Sequence, residues 1–270
     1  MIGLILGETQ FGSLIIEKLK LLKKKFKIID LSKNKIFSKN RNSFSLSVGQ
    51  IGKAISILKK NNCKKLIFAG KVSRPNFKKT KFDLKTLVYL PKILKFSKKG
   101  DALIIKQIIK IFNNEGFKII PSTFFNPELT LKKGTYTIIK PNKVDKKDML
   151  KGKKIINDLS KQNIGQGAIV KDGFVIAIEG QHGTDAMLNK AHILIKRLYK
   201  RRVKSGILIK FPKLDQDLRI DLPAIGIKTI KKCSKIGLKG IYVKANQNII
   251  LNKSKCLSLA NKNKMFLCAI

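Results

Sequence analysis

The first half of the chain alternates short apolar runs with amphipathic stretches, and this alternation restricts the fold more than any other feature. Ile2–Leu6 and Lys65–Gly70 are continuous apolar runs, typical of strands buried on both faces of a parallel sheet. Phe26–Leu31 and Phe117–Pro121 are further strand-like runs. Strands that alternate with helices up to about residue 125 predict an open, parallel α/β domain of the Rossmann-like kind.

Amphipathic helices are predicted between these strands. After the first strand, four apolar residues recur at intervals typical of one helix face: Ile15, Leu19, Leu22 and Phe26. A second helix is predicted over Val48–Asn61, and a third begins at Asp101, which we expect to be its N-cap.

The second half predicts a mixed α/β domain. Asp172-Gly173 between two apolar runs is a strong hairpin signal for strands Gly167–Lys171 and Phe174–Glu179. Thr184 is predicted to cap a helix that runs to about Arg201. Other helices and strands are predicted at Asp145–Lys161, Gly206–Phe211, Ile227–Ile236, Gly240–Val243, Asn248–Leu251 and Met265–Ile270. The predicted organisation is an N-terminal domain over 1–130, a linker over 131–142 and a C-terminal domain over 143–270.

The net charge of +43 suggests a nucleic-acid partner, but the composition of the charge argues against one. Only six of the 59 basic residues are Arg, the side chain best suited to bidentate phosphate and base contacts. The lysines are spread along the whole chain, and no zinc-finger or RNA-recognition motif is present. We predict no nucleic-acid partner, and we expect attraction to anionic ligands or membranes.

The cysteines and the N-terminus indicate a cytoplasmic protein. Cys63, Cys233, Cys256 and Cys268 form no C-x-x-C pair and lie in apolar surroundings, so buried, reduced thiols are expected. The sequence MIGLILGETQ has no basic region typical of a signal peptide. No apolar run approaches the roughly 20 residues of a spanning helix.

Glycine-bearing turns at strand ends are candidate anion sites. The turn Gly7–Gly12 leads from a strand into a helix N-terminus, although neither the G-x-G-x-x-G nor the P-loop motif is present. Lys71 follows the strand Lys65–Gly70 and is a candidate phosphate contact, with a solvated lysine as the alternative. Near a second such turn, Glu179 and Asp185 have three open roles: base, metal ligand or capping group.

An acidic loop is the strongest candidate for catalysis. Asp215, Asp217 and Asp221 are the only carboxylates after Asp185, within a segment bracketed by Pro212 and Pro223. Proline at both ends argues against a regular helix or central strand between them. A carboxylate beside Arg219 and near Lys210 suits metal binding or water orientation, and local turn bonding is the alternative, more so for Asp215 and Asp217 than for Asp221.

These segments resemble the LpxI family of UDP-2,3-diacylglucosamine pyrophosphatases over nearly the whole chain. The most specific matches are Glu179-Gly180 with Gly183–Leu188 (GTDAML), and Gln216–Gly226 (QDLRIDLPAIG). Less specific matches are Gly3–Gly7, Val48–Lys53, Ala69–Val72 with Arg74-Pro75, Gly100–Leu103 and Ile164–Gly167.

The resemblance implies hydrolysis of UDP-2,3-diacylglucosamine to UMP and lipid X in lipid A biosynthesis, with water attacking the phosphorus nearer the sugar. It implies two domains with substrate between them and a Mg²⁺ or Mn²⁺ ion. Asp221 matches the family's catalytic carboxylate, and Asp221 and Asp217 are the predicted metal ligands. The predicted substrate-binding residues are Gln10, Phe11, Lys71, Asp101, Ser122, Gln166, Gly167, Glu179, Thr184, Asp185, Lys210 and Arg219.

The implied partners are the UDP-linked lipid and, peripherally, the cytoplasmic face of the inner membrane, while a homodimer is left open. Two other classes of function remain as alternatives. One is a nucleotide-sugar-binding oxidoreductase, which the missing G-x-G-x-x-G motif disfavours. The other is a Lys-rich nucleic-acid-binding protein.

Overall fold

A computed structural model describes residues 1–72, 80–97, 101–162, 164–199, 204–214 and 216–270. The chain forms two compact units, so the predicted two-domain α/β class is confirmed. The N-terminal unit comprises Met1–Pro127 together with Arg219–Asp221. The C-terminal unit comprises Glu128–Leu218 and Leu222–Ile270.

The N-terminal unit follows the predicted alternation of strands and helices. Its elements in chain order are β1 (Ile2–Leu6), α1 (Gln10–Leu21), β2 (Phe26–Asp30), β3 (Ser43–Ser45), α2 (Ile51–Lys60), β4 (Lys65–Ala69), α3 (Leu84–Ser97), α4 (Asp101–Asn114) and β5 (Lys118–Ile119).

Among the described residues, five strands form a parallel sheet in the order β3-β2-β1-β4-β5. The central strand β1 is buried along its whole length, as its apolar run predicts. Ile15 and Leu19 of α1 are fully buried, as their helical spacing predicts. The predicted helix face was wrong at its C-terminal end, because Leu22 is 45% exposed just after α1 and Phe26 opens β2.

Helix α3 was not predicted from the sequence. Its inner side packs on the N-terminal core through Ile93 and Tyr89. Thr86 fixes its first turn, because its hydroxyl accepts a hydrogen bond from the Ile51 N–H (2.9 Å) and donates one to Asp83 (2.7 Å).

The C-terminal unit mixes parallel and antiparallel strands. Its elements are β6 (Gly134–Thr135), α5 (Lys143–Ser160), β7 (Gly167–Lys171), β8 (Phe174–Ile178), α6 (Gly183–Leu198), β9 (Ile207–Lys210), β10 (Ala224–Ile225), α7 (Ile227–Ile236), β11 (Gly240–Val243), β12 (Ile249–Ile250), α8 (Lys253–Lys262) and β13 (Phe266–Ala269).

In the described part of this unit the main sheet has the strand order β6-β13-β11-β9-β7-β8. Strands β9, β11 and β13 are parallel to one another, whereas β7 is antiparallel to both β9 and β8. The predicted hairpin is therefore present, and Asp172 at its turn has a φ of 51°. Strands β10 and β12 form a separate, two-stranded parallel sheet.

Residues 131–142, predicted as a linker, contribute to the C-terminal unit. Leu131 is 1% exposed and belongs to the core of that unit. Strand β6 pairs with β13, and the Thr137 hydroxyl accepts a hydrogen bond from the Leu267 N–H (2.9 Å). These partners lie more than 100 residues away, so the polar composition of the segment did not reveal them.

Two other expectations concern all of the described residues. The four cysteines are buried and free, as predicted. No helix in the described ranges is long and apolar enough to span a membrane.

Candidate functional site

In the N-terminal unit, the loops after β1 and β4 lie against each other at the carboxyl edge of the parallel sheet. The Gly7 N–H donates to the Ala69 carbonyl (2.9 Å), and the Glu8 N–H donates to the Lys71 carbonyl (2.7 Å). A Cβ on Gly7 would lie 2.3 Å from the Lys71 carbonyl oxygen, so only glycine permits this approach. Ligands of open α/β sheets bind at this edge.

The N-terminus of α1 lies at the same edge. Gln10 is exposed there, as is Lys71, so both predicted ligand contacts share one edge of the sheet. The Phe11 ring is 6% exposed and lies in the core, so a ligand could meet this residue only through its backbone. Thr9 was not predicted, yet its buried hydroxyl has no hydrogen-bond partner within the described structure. A polar side chain at the N-cap is the signal that could have identified it.

The acidic loop returns to the N-terminal unit. The Ser122 N–H, just beyond β5, donates to the Arg219 carbonyl (2.8 Å). Ile220 packs against the N-terminal hydrophobic core. Arg219–Asp221 therefore belongs to the N-terminal unit although both flanking segments belong to the C-terminal unit. This return brings the Arg219 backbone to the segment just beyond β5, at the carboxyl edge of the parallel sheet, and Asp221 belongs to the same unit.

Some predicted residues cannot be placed in this way. Asp215, Arg74 and Pro75 lie outside the described residues, and so does the side chain of Asp101, which is the first residue of α4. Its predicted N-cap role is therefore not described by the structure.

In the C-terminal unit, a second group of predicted residues gathers at one edge of the main sheet. Gln166 precedes β7, Gly167 is its first residue, Glu179 follows β8, and Lys210 ends β9. Because β7 is antiparallel to both neighbours, its start lies beside their ends. The Glu179 N–H donates to the Gly167 carbonyl (2.8 Å), and the Phe211 N–H donates to the Gln166 carbonyl (3.0 Å).

Lys210, Glu179 and Thr184 form a buried polar cluster at this edge. The residues Lys210 and Glu179 are 5% and 6% exposed. The Lys210 Nζ lies 3.9 Å from the Glu179 Oε2, which is an ion pair without a hydrogen bond. The Lys210 Nζ also donates to the Thr184 hydroxyl, which in turn donates to the Glu179 Oε1 (3.1 Å). The threonine hydroxyl thus connects the two charged groups.

The predicted capping role of Thr184 was wrong. Helix α6 begins at Gly183, and the N-cap residue, His182, makes no side-chain cap hydrogen bond. The Thr184 hydroxyl instead takes part in the buried cluster. A hydrogen bond to a buried ion pair is stronger than one to an exposed helix end, and this explains why the hydroxyl bonds Lys210 and Glu179 and does not cap α6.

Glycines make room for the Glu179 residue. Gly165 has a φ of 50°, and a Cβ there would lie 1.7 Å from the Glu179 carbonyl oxygen. A Cβ on Gly167 would lie 2.6 Å from the Glu179 Oε2. Gly165 is therefore required by its close approach to the Glu179 backbone, whereas a Cβ on Gly167 would displace the Glu179 carboxylate.

Asn248 supports the cluster and was not predicted. It is 1% exposed, and its Nδ2 donates to the Lys210 carbonyl (2.9 Å). Its Oδ1 accepts from the Lys244 N–H (2.8 Å). The amide thereby ties the end of β9 to the segment after β11. A polar residue at the start of an apolar strand was the available signal.

Asp185 has different partners. Its carboxylate pairs with Lys228 (2.6 Å) and Lys232 (3.0 Å), both on α7. The hydrogen bond from Lys228, with help from Lys232, lowers the pKa of Asp185. The structure thus places Asp185 in an ion-pair network between α6 and α7, and it is 49% exposed there.

Asp217 and Asp221, the predicted metal ligands, belong to different units. Within the described ranges, no three His, Cys, Asp or Glu side chains form a group that could hold a metal by themselves. Mg²⁺ is commonly bound by one or two carboxylates, with waters and substrate phosphates completing its shell. A carboxylate such as that of Asp221 is a donor of this kind.

Comparison with known proteins adds an independent observation. The LpxI N-terminal domain model matches residues 1–129, and the LpxI C-terminal domain model matches residues 132–268. The chain is also similar to the UDP-2,3-diacylglucosamine pyrophosphatase LpxI of Caulobacter vibrioides. The two sequences are 32% identical over 226 residues, which cover 83% of this chain and 81% of the Caulobacter protein.

Proposed function

The chain belongs to the LpxI family, and on that premise we propose that it hydrolyses the diphosphate of UDP-2,3-diacylglucosamine to UMP and lipid X, 2,3-diacylglucosamine 1-phosphate. Water adds its oxygen to one phosphorus, the bond from that phosphorus to the bridging oxygen breaks, and a proton is released. Each product keeps one phosphate.

The observation that carries this proposal is the return of Arg219–Asp221 to the N-terminal unit. The hydrogen bond from Ser122 to the Arg219 carbonyl holds the most family-specific loop at the carboxyl edge of a parallel sheet. Because nucleotides and phosphates bind at such edges, a carboxylate and a guanidinium there are well placed for diphosphate chemistry.

Asp221 is the proposed catalytic residue. Its carboxylate orients the attacking water or holds the metal, and both roles require it to be ionised. Arg219 and Lys71 are cationic and are assigned to the charge that develops on the phosphate oxygens. The exposed position of Lys71 and its place at the same edge support this assignment.

Lys210 is proposed to act from the buried cluster of the C-terminal unit. Its bonds to Thr184 and Glu179 hold the ammonium group in one position, so little reorganisation is needed when substrate charge develops. Glu179 and Thr184 are therefore proposed as positioning residues for Lys210, with Gln166 and Gly167 shaping the turn around them.

A divalent metal belongs to the proposal as well. Asp221 and Asp217 are the residues that would hold Mg²⁺ or Mn²⁺. When bound, such an ion neutralises the charge of the diphosphate.

The substrate's acyl chains imply a membrane source. We propose that the protein works peripherally at the cytoplasmic face of the inner membrane, where a UDP-linked lipid with two acyl chains would be presented. The proposal is made for a single chain and does not require a homodimer.

The first test is hydrolysis of UDP-2,3-diacylglucosamine by purified protein with Mg²⁺, comparing wild type with Asp221→Ala. We expect UMP and lipid X from the wild type and a rate lower by about 100-fold or more for the variant, with its fold and substrate binding retained. Asp158→Asn, a surface acid on α5 that is 59% exposed, is the matched control and should keep wild-type activity. Absence of turnover by folded wild type would overturn the proposed function; near-normal turnover by Asp221→Ala would overturn the role of Asp221.

A further inference from the structure

One face of α3 exposes a row of large apolar side chains. Leu84, Leu87 and Val88 are 86%, 47% and 74% exposed. Their spacing of i, i+3 and i+4 places them on the same side of the helix, and exposed Pro91 continues that side one turn later. We call these four residues the α3 outer face. Single exposed apolar residues are common, but a row along one helix is typical of an interaction site.

The opposite side of α3 is firmly attached to the N-terminal unit. Ile93 is 8% exposed within the core, and Thr86 is 1% exposed and hydrogen-bonded to Ile51 and Asp83. Because this inner side is held by both apolar and polar contacts, the outer face has a fixed outward orientation.

The charges around the outer face are positive. Lys92 and Lys95 are exposed on α3, and the helix contains no Asp or Glu. The neighbouring acids have partners of their own, since Asp83 accepts hydrogen bonds from the first turn of α2 and Glu115 binds Lys59 and Lys85. An apolar helix face bordered by lysines is the pattern of helices that lie in the interface of anionic membranes.

From this geometry we propose that the α3 outer face is a docking surface for an anionic lipid bilayer. The apolar residues would enter the boundary between headgroups and acyl chains, and Lys92 and Lys95 would contact the anionic headgroups. The docking surface itself is inferred without the proposed function. Only its purpose, bringing the protein to a substrate with acyl chains, rests on that function.

A second copy of the chain is a poorer occupant for the same surface. Two α3 helices packed through their outer faces would bring Lys92 and Lys95 of each copy close to the same residues of the other. Like charges across an interface disfavour association, and the net charge of +43 adds to that repulsion.

The test measures binding to vesicles that contain no substrate. Wild type is compared with Leu84→Gln/Leu87→Gln/Val88→Gln by cosedimentation with phosphatidylglycerol vesicles, at an ionic strength high enough to screen the general attraction of lysines. The variant should bind about tenfold more weakly or worse, because it loses the three apolar side chains that would enter the bilayer. The matched control is Leu21→Gln/Leu22→Gln/Ile36→Gln, which removes three residues that are 79%, 45% and 50% exposed elsewhere in the same unit. It should bind within about twofold of wild type.

Two further arms identify the occupant. Lys92→Gln/Lys95→Gln should weaken binding to phosphatidylglycerol at low salt and leave any binding to phosphatidylcholine unchanged. Sedimentation velocity without vesicles should show the same oligomeric state for wild type and the outer-face variant. The docking proposal is overturned if the outer-face variant binds vesicles as wild type does. It is also overturned if the only difference between the two proteins is that the variant no longer self-associates.

Activity separates this proposal from the proposed function. With substrate solubilised in detergent, the outer-face variant should hydrolyse at the wild-type rate, and with substrate in vesicles it should be slower. Wild type that binds vesicles through α3 but hydrolyses neither form would support the docking surface and overturn the proposed reaction.

Discussion

At the residue scale, the buried pair Lys210 and Glu179 makes a strong stability prediction. Both groups are nearly excluded from water, so removing one leaves the other charged and unpaired. Lys210→Met should lower the free energy of unfolding of the C-terminal unit by about 3–5 kcal/mol. In Lys210→Met/Glu179→Gln much of this loss should be recovered, because no lone buried charge remains.

Urea unfolding at neutral pH measures both variants. Lys228→Met is the matched control, since Lys228 pairs with Asp185 but is 74% exposed. An exposed pair contributes about 1 kcal/mol or less, so this variant should change stability little. Equal losses for Lys210→Met and Lys228→Met would contradict the buried-pair interpretation.

Gly165 gives a second prediction at this scale. Its positive φ and the 1.7 Å approach of a Cβ to the Glu179 carbonyl oxygen leave no space for alanine. Gly165→Ala should destabilise the C-terminal unit by about 3 kcal/mol or more. Gly180→Ala serves as control, because a Cβ there meets no described atom within 4 Å and should cost about 0.5 kcal/mol or less. Thermal unfolding compares the two, and equal midpoints would contradict the steric explanation.

At the scale of elements, Glu115 joins three helices of the N-terminal unit. Its carboxylate lies at the end of α4 and binds Lys59 of α2 (2.7 Å) and Lys85 of α3. The Tyr89 hydroxyl donates to it as well (3.2 Å). The hydrogen bonds from Lys59 and Lys85 lower the pKa of Glu115 from 4.5 to about 2.

A lowered pKa in the folded state predicts a definite pH dependence. The stabilisation from ionised Glu115 is complete above about pH 4.5 and is lost as the pH falls towards 2. Glu115→Gln should cost about 1–2 kcal/mol at pH 7, a figure reduced because both lysines are about half exposed to water. Urea unfolding should show this difference shrinking between about pH 4.5 and pH 2. Glu17→Gln, at an exposed position of α1, should show no such trend, and a difference independent of pH would contradict the assignment.

The elements that were missed share a physical cause. Helix α3 has apolar residues on both its inner and outer sides and a proline at position 91, so its sequence lacks a clear amphipathic period. Residues 131–142 were predicted as a linker because they are polar, yet Leu131 and Thr137 are held by partners far away in the chain. Periodicity detects a helix only when the side that faces water is polar.

At the scale of the whole molecule, the proposed reaction includes a divalent metal, and its requirement can be tested directly. EDTA should abolish hydrolysis of UDP-2,3-diacylglucosamine, and added Mg²⁺ or Mn²⁺ should restore it, because the charge of the diphosphate is otherwise unneutralised. EDTA already saturated with Mg²⁺ is the control and should leave the rate unchanged. Activity that survives chelation and dialysis would count against a metal at Asp221 and Asp217.

The sequence alone was sufficient for what depends on neighbouring residues. Apolar runs and helical spacing predicted the strands of the parallel sheet, and Asp172-Gly173 predicted the β7–β8 hairpin, because local patterns determine backbone conformation and burial along one element. The clustered acids near Arg219 also indicate a candidate site from the sequence alone. Only the tertiary structure showed that Arg219–Asp221 belongs to the N-terminal unit. It also showed that the Thr184 hydroxyl is hydrogen-bonded to Lys210 and Glu179, and that the Asn248 amide is hydrogen-bonded to the Lys210 carbonyl. These partners are distant along the chain, and packing, not local sequence, decides which distant groups meet.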